Sequence, residues 1–181
     1  MKKIILNVGC GKDTYGTDFV DLYPQRKEVK KCNVDEEKLP YKKNTFDKVY
    51  SKCMFEHLKN PGFVLKEMAR GCKKNGKVEI ITDNASYWYY ALDNKTPTGK
   101  YESTLEFGEE DKHYSLFTDW HLTNHFKDAG LTTIKIKYID NTGSPTSFKG
   151  KMVQTINKIL RKISPIKRLA YGRIRIVGEK E

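Results

Sequence analysis

The chain opens on an apolar run, Ile4-Ile5-Leu6-Asn7-Val8, that stops at two glycines flanking one residue, Gly9-Cys10-Gly11. A run of this length fits a buried strand, and the glycines allow a loop whose backbone a ligand can approach closely. A second short run, Phe19-Val20-Asp21-Leu22, and a third, from Val29 to Asp35, each lead to a carboxylate. Phe46 to Met54 alternates apolar and polar residues as a fourth strand, before the loop Phe55-Glu56-His57-Leu58. Asn60-Pro61 opens a helix with Phe63, Val64, Leu65, Met68 and Cys72 on its apolar face and Asn75-Gly76 as its stop. Lys77 to Asn84 is a fifth strand. The aromatic cluster Tyr87-Trp88-Tyr89-Tyr90 begins an irregular polar stretch reaching about Lys112, the usual position of a lid or substrate loop. Thr118 caps a helix that turns Leu122, Phe126 and Ala129 inward and ends at Gly130; Leu131 to Ile139 is a sixth strand and Asn141 to Ser147 a loop. Met152, Val153, Ile156, Ile159, Leu160 and Ile163 form one face of a helix whose other face holds Lys158, Arg161 and Lys162. Pro165 ends it, and Ile174 to Val177 is the last strand.

Three of these strands end in a glycine pair or a carboxylate, and open α/β sheets bind ligands outside the carboxyl ends of their strands. Only ten positions separate Gly11 from Asp21, too few for a helix and a strand, so the first crossover helix is reduced to a loop or missing. The dinucleotide-binding fingerprint does not fit: Thr14 stands where its third glycine would be, and the acid comes too early.

Composition narrows the class. A chain of 181 residues, 38% apolar and 31% charged, suits one globular domain with a very polar surface. No apolar run approaches the ~20 residues of a membrane-spanning helix. The basic and apolar start only imitates a secretory signal, because its apolar segment is too short and is interrupted by Asn7. A cytoplasmic protein with reduced thiols is expected. Cys10, Cys32, Cys53 and Cys72 form no Cys-x-x-Cys pair, which indicates neither a zinc site nor a disulfide scaffold. The net charge of +11 is uneven: residues 149–181 carry ten Lys/Arg against Glu179 and Glu181, or +8, which leaves +3 for the preceding 148 residues.

In order and spacing, several stretches resemble the class I S-adenosylmethionine-dependent methyltransferases, specifically the small branch related to the methyltransferase-11 group. They are Leu6-Asn7-Val8-Gly9-Cys10-Gly11, Asp21, Asp35 four residues before Leu39-Pro40-Tyr41, and Asn44-Thr45-Phe46-Asp47-Lys48-Val49. Glu56-His57-Leu58, Asn75-Gly76-Lys77 and His113-Tyr114-Ser115-Leu116-Phe117-Thr118 continue the match, which covers roughly residues 3–140. The resemblance implies a doubly wound α/β fold with a mostly parallel, seven-stranded, Rossmann-like sheet, and S-adenosyl-L-methionine as cofactor. It assigns the close backbone of Gly9, Cys10 and Gly11 to the methionine part, with Asn7 and Val8 leading into it, and Asp21 with Leu22 to the ribose side. Asn33, Val34 and Asp35 fall at the adenine, and Ser51, Cys53 and Met54 line the wall below the sulfonium. One departure stands out: the family often has an acid where this chain has Asn7.

On this reading residues 1–181 form a single methyltransferase domain. About 85–130 supplies the lid or substrate segment and a helix, and 149–172 is a basic amphipathic helical insertion before the last strand. The catalytic candidates are His113, Tyr87 and His57; no metal cluster and no nucleophile paired with a base is visible. The acceptor is open among small molecules, lipids or glycans, proteins and RNA. The basic segment 149–181 suggests an acidic partner, either RNA or an anionic membrane surface. The competing reading is a non-catalytic module that uses a methyltransferase fold to bind nucleic acid or anionic membrane.

Overall fold

The computed structural model describes residues 3–92, 112–140, 147–163 and 166–181. The greater part of the expected lid, 93–111, most of the expected loop at 141–147, and Pro165 lie outside the described residues. Strands β1 (Ile5–Val8), β2 (Asp18–Asp21), β3 (Val29–Lys31), β4 (Phe46–Lys52), β5 (Cys72–Asp83), β6 (Leu131–Ile139) and β7 (Arg173–Lys180) form one seven-stranded sheet. Its order is β3-β2-β1-β4-β5-β7-β6. The first five strands in that order pair in parallel, and β7 runs antiparallel between β5 and β6. The strand order reverses between β1 and β4, and a crevice opens at such a switch point.

Helices α1 (Pro61–Gly71) and α3 (Asp119–Asp128) cover one face. Val64, Leu65 and Met68 from α1 and Leu122 and Phe126 from α3 join Leu6, Val8, Val49, Val78, Ile80, Ile174 and Ile176 in the main core. Thr118 caps α3 by accepting a hydrogen bond from the His121 amide, and Gly130, at φ +74°, lets the chain leave the helix.

The opposite face differs because the β1–β2 connection, residues 9–17, contains no helix. It is a tight loop instead: Thr17 N–H donates to the Ile5 carbonyl, its hydroxyl accepts from Ile5 N–H, and Asn7 Nδ2 donates to the Tyr15 carbonyl. Uncovered by a crossover helix, this side of the sheet carries a small apolar cluster of Cys10, Phe19 and Val29 and, farther along, an ionic network. The buried Glu79 carboxylate on β5 accepts two bonds from Arg175 (2.7 and 2.8 Å) and pairs with Lys48 Nζ at 2.9 Å. Lys48 in turn donates to the Tyr15 hydroxyl. Burial alone would push the Glu79 carboxyl up, but the Arg175 and Lys48 hydrogen bonds outweigh it and hold the carboxyl below its ordinary range.

Four sequence expectations are corrected. Helix α1 ends at Gly71, and Asn75-Gly76 lies inside β5. There Phe46 pairs with Cys72 and Lys48 with Lys77, so residues 73–76 form an irregularity at which Asn75 takes φ +60°. The Asn60 side chain does not cap α1; its Nδ2 donates to the Asp35 carbonyl. Phe63, expected on the apolar face of α1, is exposed. The third strand stops at Lys31, and Asp35 sits in a turn because Asn33 draws the chain around: its Oδ1 accepts from Asp35 N–H and its carbonyl from the Glu36 and Glu37 amides.

Replacing Arg175 with Leu leaves the buried Glu79 carboxylate with Lys48 alone. Urea unfolding is expected to show a loss of about 1–2 kcal/mol at neutral pH, with the difference shrinking as acid protonates Glu79, since a depressed carboxyl stabilises above its unfolded pKa and not below its folded one.

Candidate functional site

The ends of the first three strands are tied to one another beside the switch point. The Gly9 and Cys10 amides donate to the Val20 carbonyl, Gly11 N–H donates to Asp21 Oδ2 at 2.7 Å, and Cys32 N–H donates to the Asp21 carbonyl. The other Asp21 oxygen, Oδ1, accepts from Tyr23 N–H at 2.9 Å. Each carboxylate oxygen therefore has one backbone donor and lone pairs left for a further hydroxyl.

Gly9 and Gly11 both take left-handed backbone conformations, φ +66° and +49°, for different reasons. A Cβ on Gly9 would come within 2.3 Å of Met54 Cγ, so the β1 loop packs on the turn that follows β4. A Cβ on Gly11 would meet nothing within 4 Å: the Gly11 backbone borders open space. That opening leaves room for a ligand chain along the backbone.

The remaining expected cofactor residues surround the same end. Val8 is fully buried in the core, and the buried Cys10 has its thiol pushed up to about 11 by desolvation, with Asp21 adding to the effect. Leu22 is exposed beside Asp21 and offers an apolar wall. Asn7 is buried with its Nδ2 committed to Tyr15, leaving Oδ1 as the acceptor of that amide. Asp35 accepts from the Lys59 amide at 3.1 Å and the Asn60 amide at 2.9 Å, just before α1; Val34 packs on the main core. Ser51 is fully buried with no hydrogen-bond partner for its hydroxyl among the described residues, an orphan of the kind a bound polar ligand satisfies. Cys53 takes φ +51°, which turns the chain out of β4, and its thiol is raised to about 11, chiefly by burial. These residues fit a nucleoside joined to an amino acid.

His57 and His113 come together, their rings 4.4 Å apart at 81°, and His57 Nδ1 contacts the Lys112 carbonyl at 3.1 Å. Tyr87 belongs to another cluster: its hydroxyl accepts from Asn157 Nδ2 at 3.1 Å, while Trp88 Nε1 donates to Asn157 Oδ1 at 2.6 Å. Asn157 thereby ties helix α4 (Phe148–Leu160) to the short helix α2 (Trp88–Leu92) just after β5.

Sequence reasoning gave too little weight to three residues. Glu56 is buried; its carbonyl accepts from the Tyr114 and Ser115 amides and its carboxyl accepts from Thr82 Oγ1 at 2.7 Å. Burial raises its pKa, and nearby Asp83 adds to the rise against the Thr82 bond. A carboxylate set in Met54-Phe55-Glu56-His57-Leu58 was the available signal. Asn84, fully buried, donates to the Arg168 and Tyr171 carbonyls and pins the end of β5 to the approach of β7. Asn157 reads in sequence as one polar residue in an apolar repeat. Among the described residues no group of His, Cys, Asp and Glu is arranged to hold a metal ion, and no helix is long and apolar enough to cross a membrane.

This arrangement has known counterparts. A family model described as a methyltransferase domain matches residues 2–136, three quarters of the chain. Among solved structures, the chain is similar to a S-adenosylmethionine-dependent methyltransferase of Thermotoga maritima, described as a possible histamine N-methyltransferase (TM-score 0.64, 15% identity, covering 100% of this chain and 83% of that one). A S-adenosylmethionine-dependent methyltransferase of Archaeoglobus fulgidus gives a TM-score of 0.62 at 16% identity, over 98% of this chain and 86% of that one. Haemonchus contortus phosphoethanolamine N-methyltransferase 2, solved with phosphomonomethylethanolamine and S-adenosylhomocysteine, gives 0.57 at 17% identity, over 99% of this chain and 50% of that one. A search of curated protein sequences finds no match. With strand order, glycine loop and family model in agreement, the chain belongs to the methyltransferase-domain family.

Proposed function

We propose that the protein is a S-adenosylmethionine-dependent methyltransferase formed as a single domain over residues 1–181, working in the cytoplasm. The observation that carries this reading is the Gly9–Gly11 loop, bonded through Gly11 to Asp21 and open along Gly11, at the switch point of the sheet. When bound, the cofactor supplies a methyl group on a sulfonium, an electrophile that needs no metal. The chain's residues bind and orient. Asn7 to Gly11 hold the amino-acid part along the loop, and Asp21 accepts from the ribose hydroxyls beside Leu22. Asn33, Val34 and Asp35 flank the base, and Ser51, Cys53 and Met54 form the wall on the reacting side.

Positioning supplies much of the rate enhancement in an in-line displacement. His57 and His113 are our candidates for contact with the acceptor, since their paired rings lie where the 3-10 turn after β4 (Phe55–His57) meets the segment leading to α3. Tyr87 is the third candidate, in the segment between β5 and α2. Segment 85–130 acts as lid and acceptor loop, and 149–172 is an insertion that engages an acidic partner.

Glu56 supports this site through the bond its carboxyl accepts from Thr82 Oγ1, while burial, with Asp83 adding to it, raises its pKa.

Calorimetry with S-adenosylhomocysteine tests the cofactor reading. Wild-type protein is expected to bind, and Asp21→Ala to bind at least about tenfold more weakly. Gly11→Ala is expected to remain folded, losing only about 1 kcal/mol for its left-handed backbone, yet to bind poorly because its methyl enters the open cradle. No binding by wild-type protein overturns the proposal. Incubation with methyl-labelled cofactor and fractionated cell extract then identifies the acceptor class by the fraction that gains label. For Glu56, a folded pKa above the ordinary 4.5 means that stability falls as pH rises from the unfolded pKa through the folded one. Glu56→Gln keeps an acceptor for Thr82 and is expected to remove that fall in thermal melts from about pH 4 to pH 8.

A further inference from the structure

Helix α4 was expected to bury one apolar face, and it has two. Val153, Ile156 and Leu160 are half-buried around the buried Asn157, whose bonds to Tyr87 and Trp88 fix which side faces inward. Phe148, Met152 and Ile159 point out, 86%, 50% and 56% exposed, and Ile163 in the turn beyond the helix is 45% exposed. Spacings of four and seven residues set these side chains in one stripe about 17 Å long between Phe148 and Ile159. Lys151, Lys158 and Lys162 are exposed along one flank. From residue 141 to residue 178 the chain has nine Lys/Arg (149, 151, 158, 161, 162, 167, 168, 173, 175) and no Asp or Glu.

We propose that α4 is a docking helix for an anionic lipid surface: the stripe Phe148–Met152–Ile159–Ile163 enters the headgroup layer, and the flanking lysines meet the lipid phosphates. The proposal deepens the reading of 149–181 as the contact for an acidic partner and does not depend on methyl transfer. Charge and apolar surface together select this occupant. A helix lying in a bilayer interface needs an exposed apolar stripe bordered by lysines whose heads reach the phosphates. Single-stranded RNA would use the cations and stacking rings, and would leave three aliphatic side chains of the stripe in water. A second copy of the chain would bring the exposed Lys151, Lys158 and Lys162 of one stripe against those of the other, which repel.

Co-sedimentation of the full chain with vesicles tests this. Wild-type protein is expected to partition onto phosphatidylcholine vesicles containing phosphatidylglycerol and not onto phosphatidylcholine alone. The double variant Phe148→Ser, Ile159→Ser is expected to lose at least about tenfold in partitioning, and the triple variant Lys151→Gln, Lys158→Gln, Lys162→Gln a similar factor. Both substitution sets touch exposed side chains only, and thermal melts followed by circular dichroism on each variant report whether the fold is kept. Undiminished partitioning of the Phe148/Ile159 variant overturns the proposal. So does wild-type binding to a single-stranded RNA but not to vesicles, or a wild-type dimer in sedimentation velocity that the same variant disperses. Binding to neither vesicles nor RNA overturns the acidic-partner reading as well. Failure to bind S-adenosylhomocysteine strikes the methyl-transfer proposal alone and leaves the vesicle result standing.

Discussion

The close packing of Gly9 on Met54 is the contact on which the architecture of the candidate site depends. It joins the end of β1 to the turn after β4 across the line where strand order reverses. Only a residue without a Cβ permits that approach, and only a left-handed backbone turns the loop back toward β2, where Gly11 reaches Asp21. One backbone turn thus fixes both walls of the crevice. The carboxylate of Asp21 is oriented by Gly11 on one oxygen and Tyr23 on the other, so its direction is set before any ligand arrives.

The second determinant is what the chain leaves out. Parallel sheets are ordinarily buried on both faces. Here the nine residues between β1 and β2 hold no helix, and the face that a crossover helix would have covered carries the small cluster of Cys10, Phe19 and Val29 beside an ionic network. Glu79, Lys48, Arg175 and Tyr15 neutralise and hydrogen-bond one another on it, and β7 alternates buried and half-buried residues as a one-sided strand does. The apolar load falls on the other side, where α1 and α3 pack.

Much of this was legible in the sequence because it depends on local pattern. Short apolar runs ending in Gly9-Cys10-Gly11 and Asp21 gave the first two strands, the ten-residue gap from Gly11 gave the missing helix, and Thr118 and Gly130 bounded α3. What escaped depends on contacts distant in the chain. Asn75-Gly76 has the chemistry of a helix stop, yet strand pairing with β4 claims the residues from Cys72 onward. Asp35 lies beyond its strand because Asn33 competes for the backbone. The second apolar face of α4 was hidden because Met152 and Ile159 obey the same periodicity as Val153 and Ile156, and only the bonds of Asn157 decide which set turns inward. Glu56 was visible only as a neighbour of His57, while its burial comes from strand β5 and the 114–115 segment.

Asn157 has a mechanical consequence. Its single amide is gripped at the oxygen by Trp88 and at the nitrogen by Tyr87, so α4 cannot slide along its axis without either breaking both grips or dragging the aromatic rim after β5 with it. Helix α4 and the aromatic segment after β5 are thereby held as one mechanical unit, so neither shifts alone.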